Sequence, residues 1–444
     1  MDIIIINSDN YLSLDTLTLT SIKIDRITMT SEMIDKFLSK PLSSLSKLNC
    51  QDTSINKIPE LPKLTTLNCH NCSNLMNIPL LDTLTSLDCS GCNKITNIPI
   101  LPNLLSLDCV RCSCLSSIPI LDSLTSLDCS MCSNLSSIPI LNKLNYLKCC
   151  YNKLTMIPML PNLTSINFGA CLNITSIPDL PCLTSLRCAK TSVSNIPDIS
   201  SLTYLNCNDC SNLTRISELP LLTGLVCGDN NNLINIPTLS SLTMLDCSNS
   251  SLTNISELPN LTELYCIGCA NLTNISDLHS IRYLSCNECT SLVSITELPN
   301  LTNLSCTDCI SLTNIPMLPS LTSLNCTGCI SLTNLPYLPC LITLQCVECI
   351  NINAIPILPN LISINYTGSV AIPDLPKLVR INGRQIKQFR DMKTILTKHT
   401  NSECIICYID GNVYNTKCNH SFHRKCLSIW LDNNNTCPYC RSVL

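Results

Sequence analysis

Residues 84–103 read LTSLDCSGCNKITNIPILPN, and the same stretch returns along the chain with small changes. Its skeleton is Leu-x-x-Leu-x-Cys-x-x-Cys-x-x-Leu-x-x-Ile-Pro-x-Leu-Pro-x. From about Leu45 to Tyr366 there are 17 copies at spacings of 19 or 20, with a shortened eighteenth around Leu378. A fixed period of this size means a solenoid, in which each unit buries its apolar face against its neighbours. Leu-x-x-Leu-x-Cys alternates as a short strand does, with one face inward. The Ile-Pro-x-Leu-Pro segment excludes helices from the return side, since a Pro inside a helix costs about 3 kcal/mol. Extended or polyproline-like backbone is expected there.

The third strand position is Cys in 15 of the 17 units, with Phe168 and Tyr366 as the exceptions. Three residues on, Cys recurs in 11 units, among them Cys72, Cys92, Cys269 and Cys329. Where Asn152, Thr191 or Ser250 stands instead, the next apolar residue comes one position earlier and the unit shortens to 19 residues. This second cysteine therefore belongs to the turn geometry. The ladder cysteines are expected to be reduced, buried and metal-free, as small hydrophobes with a weak S–H donor. The repeats resemble the leucine-rich-repeat family at the short end of its range, in its bacterial-type form with an Ile/Leu-Pro-x-Leu-Pro segment. That resemblance implies a solenoid of short parallel strands with few helices.

Composition narrows the function. In 444 residues there are 9 Gly, 26 Pro and 36 Cys, with 4% aromatic and 13% charged residues. Phosphate loops and nucleophile elbows need glycine, so an ordinary α/β enzyme is not expected. So many cysteines would suit a secreted disulfide scaffold, but Met1-Asp2 and the four-residue apolar run Ile3 to Ile6 make a poor signal peptide. No apolar run is long enough to span a membrane. The chain reads as intracellular and cytoplasmic, where thiols stay reduced. Asn-x-Thr triplets such as Asn162-Leu163-Thr164 follow the repeat period and are read as its by-product.

Residues 1–44 read as an N-terminal cap, with a strand-like start and a short helix over Ser31 to Leu38. Residues 45–376 are the solenoid. Residues 377–403 read as a C-terminal cap and basic linker helix, because Ile386, Phe389, Met392 and Leu396 fall at helical spacing. Net charge changes from −11 before residue 377 to +7 from residue 377 onward. The basic stretch is read as a solvated helix face, not a nucleic-acid surface.

Residues 404–444 hold a different pattern. Cys404, Cys407, Cys418, His420, His423, Cys426, Cys437 and Cys440 are spaced C-x2-C-x10-C-x-H-x2-H-x2-C-x10-C-x2-C. Eight such donors suit two tetrahedral Zn2+ ions. The order is similar to the RING finger in its two-histidine variant. That resemblance implies interleaved ligand sets: Cys404, Cys407, His423 and Cys426 on one zinc, Cys418, His420, Cys437 and Cys440 on the other. It further implies a shallow groove of Ile406, Trp430 and Pro438 for a ubiquitin-conjugating enzyme, and a ubiquitin-orienting cation at Arg441. The whole chain resembles leucine-rich-repeat proteins ending in a RING, such as those encoded by giant amoeba-infecting DNA viruses. The expected function is a ubiquitin ligase of the RING type, with no covalent ligase intermediate. The alternative is a non-catalytic interaction scaffold with a structural zinc finger. The expected partners are a conjugating enzyme, ubiquitin and a protein substrate. The substrate surface is placed on the strand face, where Tyr146, Lys148, Arg187, Tyr204, Glu263, Tyr265, Arg282 and Tyr283 interrupt a run of Thr, Ser and Asn. Within that patch Tyr204, Tyr265, Arg282 and Tyr283 are the main candidates, since Tyr and Arg are enriched in binding hot spots.

Overall fold

The computed structural model describes the chain except residues 1–3, 15, 26–28, 256, 276–277, 368–371, 374, 386–396, 408–409, 417, 424–425, 428–429, 431–435 and 443–444. It divides into two compact units, Met1–Leu292 and Val293–Leu444. Each carries parallel solenoid turns. In the first unit three-residue strands such as Thr66–Asn68, Ser86–Asp88, Ser106–Asp108 and Ser126–Asp128 pair in parallel, one per repeat and in strict register. Leucine faces leucine at the centre of each strand, as in Leu67, Leu87 and Leu107. Within the repeat quoted above, Leu84, Leu87, Cys89, Cys92, Ile95, Ile98 and Leu101 are all buried. The return segments are extended and partly paired, for example Asn195–Ile196 with Arg215–Ile216 and Asn97 with Ser117.

Three polar devices recur in the described turns. First, the Asn or Asp that ends the strand accepts from the amide two residues on: Asn68 from His70 at 3.0 Å, Asp88 from Ser90 at 3.0 Å and Asp128 from Ser130 at 3.0 Å. Second, the residue before the second-cysteine position adopts left-handed backbone. Asp52, Asn71, Arg111, Met131 and Tyr151 do so at φ of 57° to 60°, a conformation that ordinarily costs about 1 kcal/mol or more in non-glycine residues. Its amide is repaid by the next turn, since Asn71 N donates to Ser90 O at 2.7 Å and Arg111 N to Ser130 O at 2.9 Å. At Gly91 a Cβ would stand 2.2 Å from Asn71 Oδ1.

The third device is the cysteine pair. The second thiol of each turn donates back to the carbonyl of the preceding turn's strand cysteine: Cys72 to Cys50 O at 3.0 Å, Cys92 to Cys69 O at 3.0 Å, Cys112 to Cys89 O at 3.1 Å. The same bond recurs in the second unit, Cys329 to Cys306 O at 2.9 Å. Asn152 and Asn230 substitute their amides for that thiol, reaching Cys129 O and Cys207 O at 2.9 Å. Thr53 and Thr191 cap the carbonyl of their own turn instead, at 2.6 and 2.7 Å. The ladder thiols are thus hydrogen-bond donors to buried carbonyls as well as packing groups. Cys92→Ala leaves Cys69 O with only the amide of Cys72 as donor, at 3.1 Å, and opens a small void, so urea unfolding should show a loss of about 1–2 kcal/mol. Cys92→Asn, which restores a donor as Asn152 does, should lose less than half of that. Equal losses for the two variants would count against the hydrogen-bonding role.

Sheet pairing continues beyond the repeats at both ends of the array. Ile4–Ile6 and Ser21–Ile24 are not only a cap: they pair in parallel with each other, and Ser21–Ile24 pairs with Lys47–Asn49, extending the same sheet. Between them and the repeats lies the helix Ser31–Leu38, capped by Thr30 Oγ1 accepting from Met33 N at 3.4 Å and burying Ile34, Phe37 and Leu38. At the other end Arg380–Ile381 pairs in parallel with Ser363–Tyr366 and then antiparallel with Arg384–Gln385, a hairpin that closes the edge. Arg384–Gln385 and Thr397–Glu403 are strands, so the basic helix read over this region does not include them. Its apolar positions Ile386, Phe389, Met392 and Leu396 lie outside the described residues. Among the described residues, no helix is long and apolar enough to cross a membrane.

Candidate functional site

Thr397–Glu403, Asp410–Asn415 and Ser421–His423 form a small antiparallel sheet, with Val413 opposite His423 and Tyr414 opposite Phe422. Its core is minimal: Val413, Phe422 and Leu427 pack with Cys404 and Cys437, and Ile405 and Trp430 lie against them. A domain this small needs a further source of cohesion.

The eight Cys and His side chains gather into two tetrads, Cys404, Cys407, His423, Cys426 and Cys418, His420, Cys437, Cys440. Within each set the donor atoms all lie within 4.8 Å of one another. Cys407 Sγ stands 3.1 Å from His423 Nδ1, and His420 Nδ1 stands 3.4 Å from Cys418 Sγ and 3.6 Å from Cys437 Sγ. A tetrahedral zinc with bonds of 2.0–2.3 Å asks for edges of roughly 3.6 Å, so the donor sets fit the metal. The tetrads interleave along the chain, and each takes one Cys-x-x-Cys knuckle. Residues 404–440 hold two Zn2+ sites.

The electrostatics of the cluster suit a cation. Burial works against ionising Cys404, but amides of His423, Cys407 and Ile406 bring it below the usual thiol range. Burial also opposes Cys418, yet hydrogen bonds from Ser442, Thr416, His420 and Cys437 take it down to about 5. Burial and the neighbouring charges of Cys404 and Cys407 push Cys426 up to about 12, and burial raises Cys437. Such a cluster cannot ionise throughout unless a divalent ion offsets the accumulating charge.

Outer partners orient the ligands. Thr416, buried two residues before Cys418, contacts that thiol at 3.0 Å and receives His420 N at 3.3 Å. Ser442 reaches Cys440 Sγ at 2.9 Å. The Tyr439 ring packs on His420 with centroids 4.7 Å apart. Sequence reasoning missed all three. Their only signal was a hydroxyl or ring within two residues of a ligand.

Ile406 is 40% exposed at the tip of the first knuckle, and Pro438 is half-buried in the last. Trp430 is half-buried, its Nε1 donating to Thr436 O at 2.8 Å, and the guanidinium of Arg441 stacks over its ring at 4.3 Å. Arg441 itself is exposed, with left-handed backbone at φ 63°. Residues 402–441 match the family model described as "Ring finger domain".

The C-terminal domain is a RING domain. A 50-residue segment is 46% identical to the E3 ubiquitin-protein ligase ZNRF3 of Homo sapiens, covering 10% of this chain and 5% of that protein. The RING-H2 finger protein ATL81 of Arabidopsis thaliana is 30% identical over 74 residues, 16% of this chain and 22% of the relative. The chain therefore spans only a small part of these relatives. Among solved structures, YopM from Yersinia enterocolitica WA-314 is 20% identical with a TM-score of 0.46, over 82% of this chain and 86% of that one. The functional domain of InlJ from Listeria monocytogenes, which includes a cysteine ladder, is 20% identical with a TM-score of 0.36, over 68% of each chain.

The strand-face residues fall into three groups within the first unit. Arg187 stacks over the Tyr204 ring at 4.8 Å, and that ring covers Gly224, whose Cβ would stand 3.0 Å from it. Two strands further along, Tyr265 and Tyr283 stack with centroids 5.1 Å apart, and Tyr265 Oη donates to Glu263 at 3.3 Å. Arg282 is exposed immediately before its strand. Tyr146 is exposed, and Lys148 is held by Asp128 at 3.0 Å.

Proposed function

We propose that this protein is a ubiquitin ligase of the RING type, whose solenoid recruits the substrate. The supporting observation is the pair of interleaved zinc tetrads, which set Ile406, Pro438 and the Arg441–Trp430 stack on one small rigid domain. Zinc supplies folding and rigidity here, not a reacting centre. Ile406, Trp430 and Pro438 offer an apolar groove to a ubiquitin-conjugating enzyme. Arg441 donates to ubiquitin, which is held in one orientation while a substrate lysine attacks the thioester on the conjugating enzyme. Catalysis of this kind comes from restricting orientation, so no ligase nucleophile is needed. Tyr204, Tyr265, Arg282 and Tyr283 serve as the substrate surface, in the cytoplasm where the ladder thiols stay reduced. A non-catalytic docking module is the second reading, because the Arg441–Trp430 stack gives both residues a packing role.

Glycine accommodates the backbone of Arg441, so Arg441→Gly removes the guanidinium without straining the turn. Arg441→Gly and Ile406→Ala should each slow ubiquitin discharge from a loaded conjugating enzyme by about tenfold or more, a barrier change of ~1.4 kcal/mol, with zinc content unchanged. Unaltered discharge in both would favour the docking module.

A further inference from the structure

In the Ile-Pro-x-Leu turns one residue projects from the return segment between the proline and the buried leucine. In five successive turns it is Leu80, Ile100, Ile120, Ile140 and Met159, with exposures from 58% at Ile140 to 67% at Leu80. The position does not call for an apolar side chain. Glu60 holds it just before the run, and Asp179, Asp198 and Glu218 hold it just after, all exposed. The turns are in register here, as the parallel bridge from Asn97 to Ser117 and the bond from Asn103 Nδ2 to Asp82 O at 2.7 Å fix them. The five residues therefore form a straight strip about 20 Å long at roughly 4.8 Å per turn. They leave on the order of 500 Å² of apolar surface in one place, toward the upper end of the largest patch a monomer exposes. The half-buried Pro79, Pro99, Pro119, Pro139 and Pro158 widen it.

We propose that this strip is the dimerisation surface of the protein, with two copies packed return side to return side and their strips antiparallel about Ile120. The strip reads nearly the same from both ends, which is what a twofold contact requires: Ile120 meets Ile120, Ile100 meets Ile140, and Leu80 meets Met159. With its prolines and flanks it approaches the ~800 Å² per partner of a standard interface. Asp122, beside the axis, meets its own counterpart, and Lys143 of the opposite copy stands one turn away to offset the pair. Glu60 and Asp179 fall opposite each other at the two rims and end the seam. An anionic membrane would be repelled by those same acids. Both strand faces stay open for substrate, so the dimer presents two receptors.

Sedimentation of the full zinc-loaded chain should show a dimer at micromolar concentration that tightens as salt screens the rim acids. Ile100→Glu, Ile120→Glu and Ile140→Glu together should raise the dissociation constant by about 100-fold or more, with the circular dichroism unchanged. With the exposed Cys114, Cys182 and Cys340 changed to Ser, Ile120→Cys should crosslink to itself under mild oxidant. Ile100→Cys should crosslink only when mixed with Ile140→Cys. A single insertion of cysteine leaves the rest of the strip intact, so this arm holds even if the triple variant misfolds. A monomer at all concentrations overturns the proposal. So does a dimer that survives the triple variant, or that is lost instead on changing the shorter apolar run Met317, Tyr337 and Ile357 to Glu. Self-crosslinking of Ile100→Cys would overturn the antiparallel geometry, and vesicle binding by the strip would assign it to lipid instead.

Discussion

Removal of zinc is expected to unfold residues 404–440 while leaving the solenoid folded. Each structural zinc contributes on the order of 10 kcal/mol of folding free energy, and the core of Val413, Phe422 and Leu427 is too small to replace it. Trp430 is the only tryptophan of the chain, which makes the domain its own reporter. Its indole is half-buried and bonded to Thr436 O. A strong chelator, or Cys404→Ala, should move its emission to the red and abolish the Arg441 stack. The strand signal in far-ultraviolet circular dichroism should barely change, since the repeat turns hold no metal cluster among the described residues. Stoichiometry should be two zinc ions per chain. An unmoved Trp430 emission after complete metal removal would contradict this account.

The second large effect is alkaline. Burial holds the thiols of Cys129, Cys207 and Cys227 well above the ordinary range and takes Cys346 up to about 12. In the unfolded chain the same thiols ionise near pH ~8.5. Below that pH both states keep their protons and stability does not depend on these groups. Above it the unfolded state releases protons that the folded state retains, so stability falls as pH rises toward the folded values. Each thiol contributes about 1.4 kcal/mol per pH unit, so these four alone give roughly 5.5 kcal/mol per unit. Urea midpoints in reductant should drop steeply above pH ~8.5, before lysine and tyrosine titrate. A level midpoint through pH ~10 would mean that the ladder thiols are not buried as described.

The array and the zinc ligands were legible because both are statements about spacing. A 20-residue period places leucine on leucine, and Cys-x-x-Cys pairs can grip one ion from one turn. What the sequence hid were features that depend on partners in other turns. The left-handed residue before the second-cysteine position is Asp52, Arg111, Met131 or Tyr151 as readily as Gly91, because bonds to the next turn hold it there. The thiol-to-carbonyl bond of Cys92 is invisible without the position of Cys69 in the turn before. Tertiary pairing also decided Thr397–Glu403: a polar stretch next to a helical spacing becomes a strand when Asp410–Asn415 pairs with it. Ile4–Ile6 was too short a run to read as solenoid sheet, yet Ser21–Ile24 provides it with a parallel partner.

The most direct test of the central claim is single-turnover discharge of ubiquitin from a panel of charged conjugating enzymes onto lysine, using the full zinc-loaded chain. With at least one enzyme the protein should accelerate discharge well above background. Ile406→Ala and Arg441→Gly should remove most of that acceleration while both zinc ions stay bound. A folded protein with two zinc ions that leaves discharge at background across the whole panel would contradict the assignment of ligase activity.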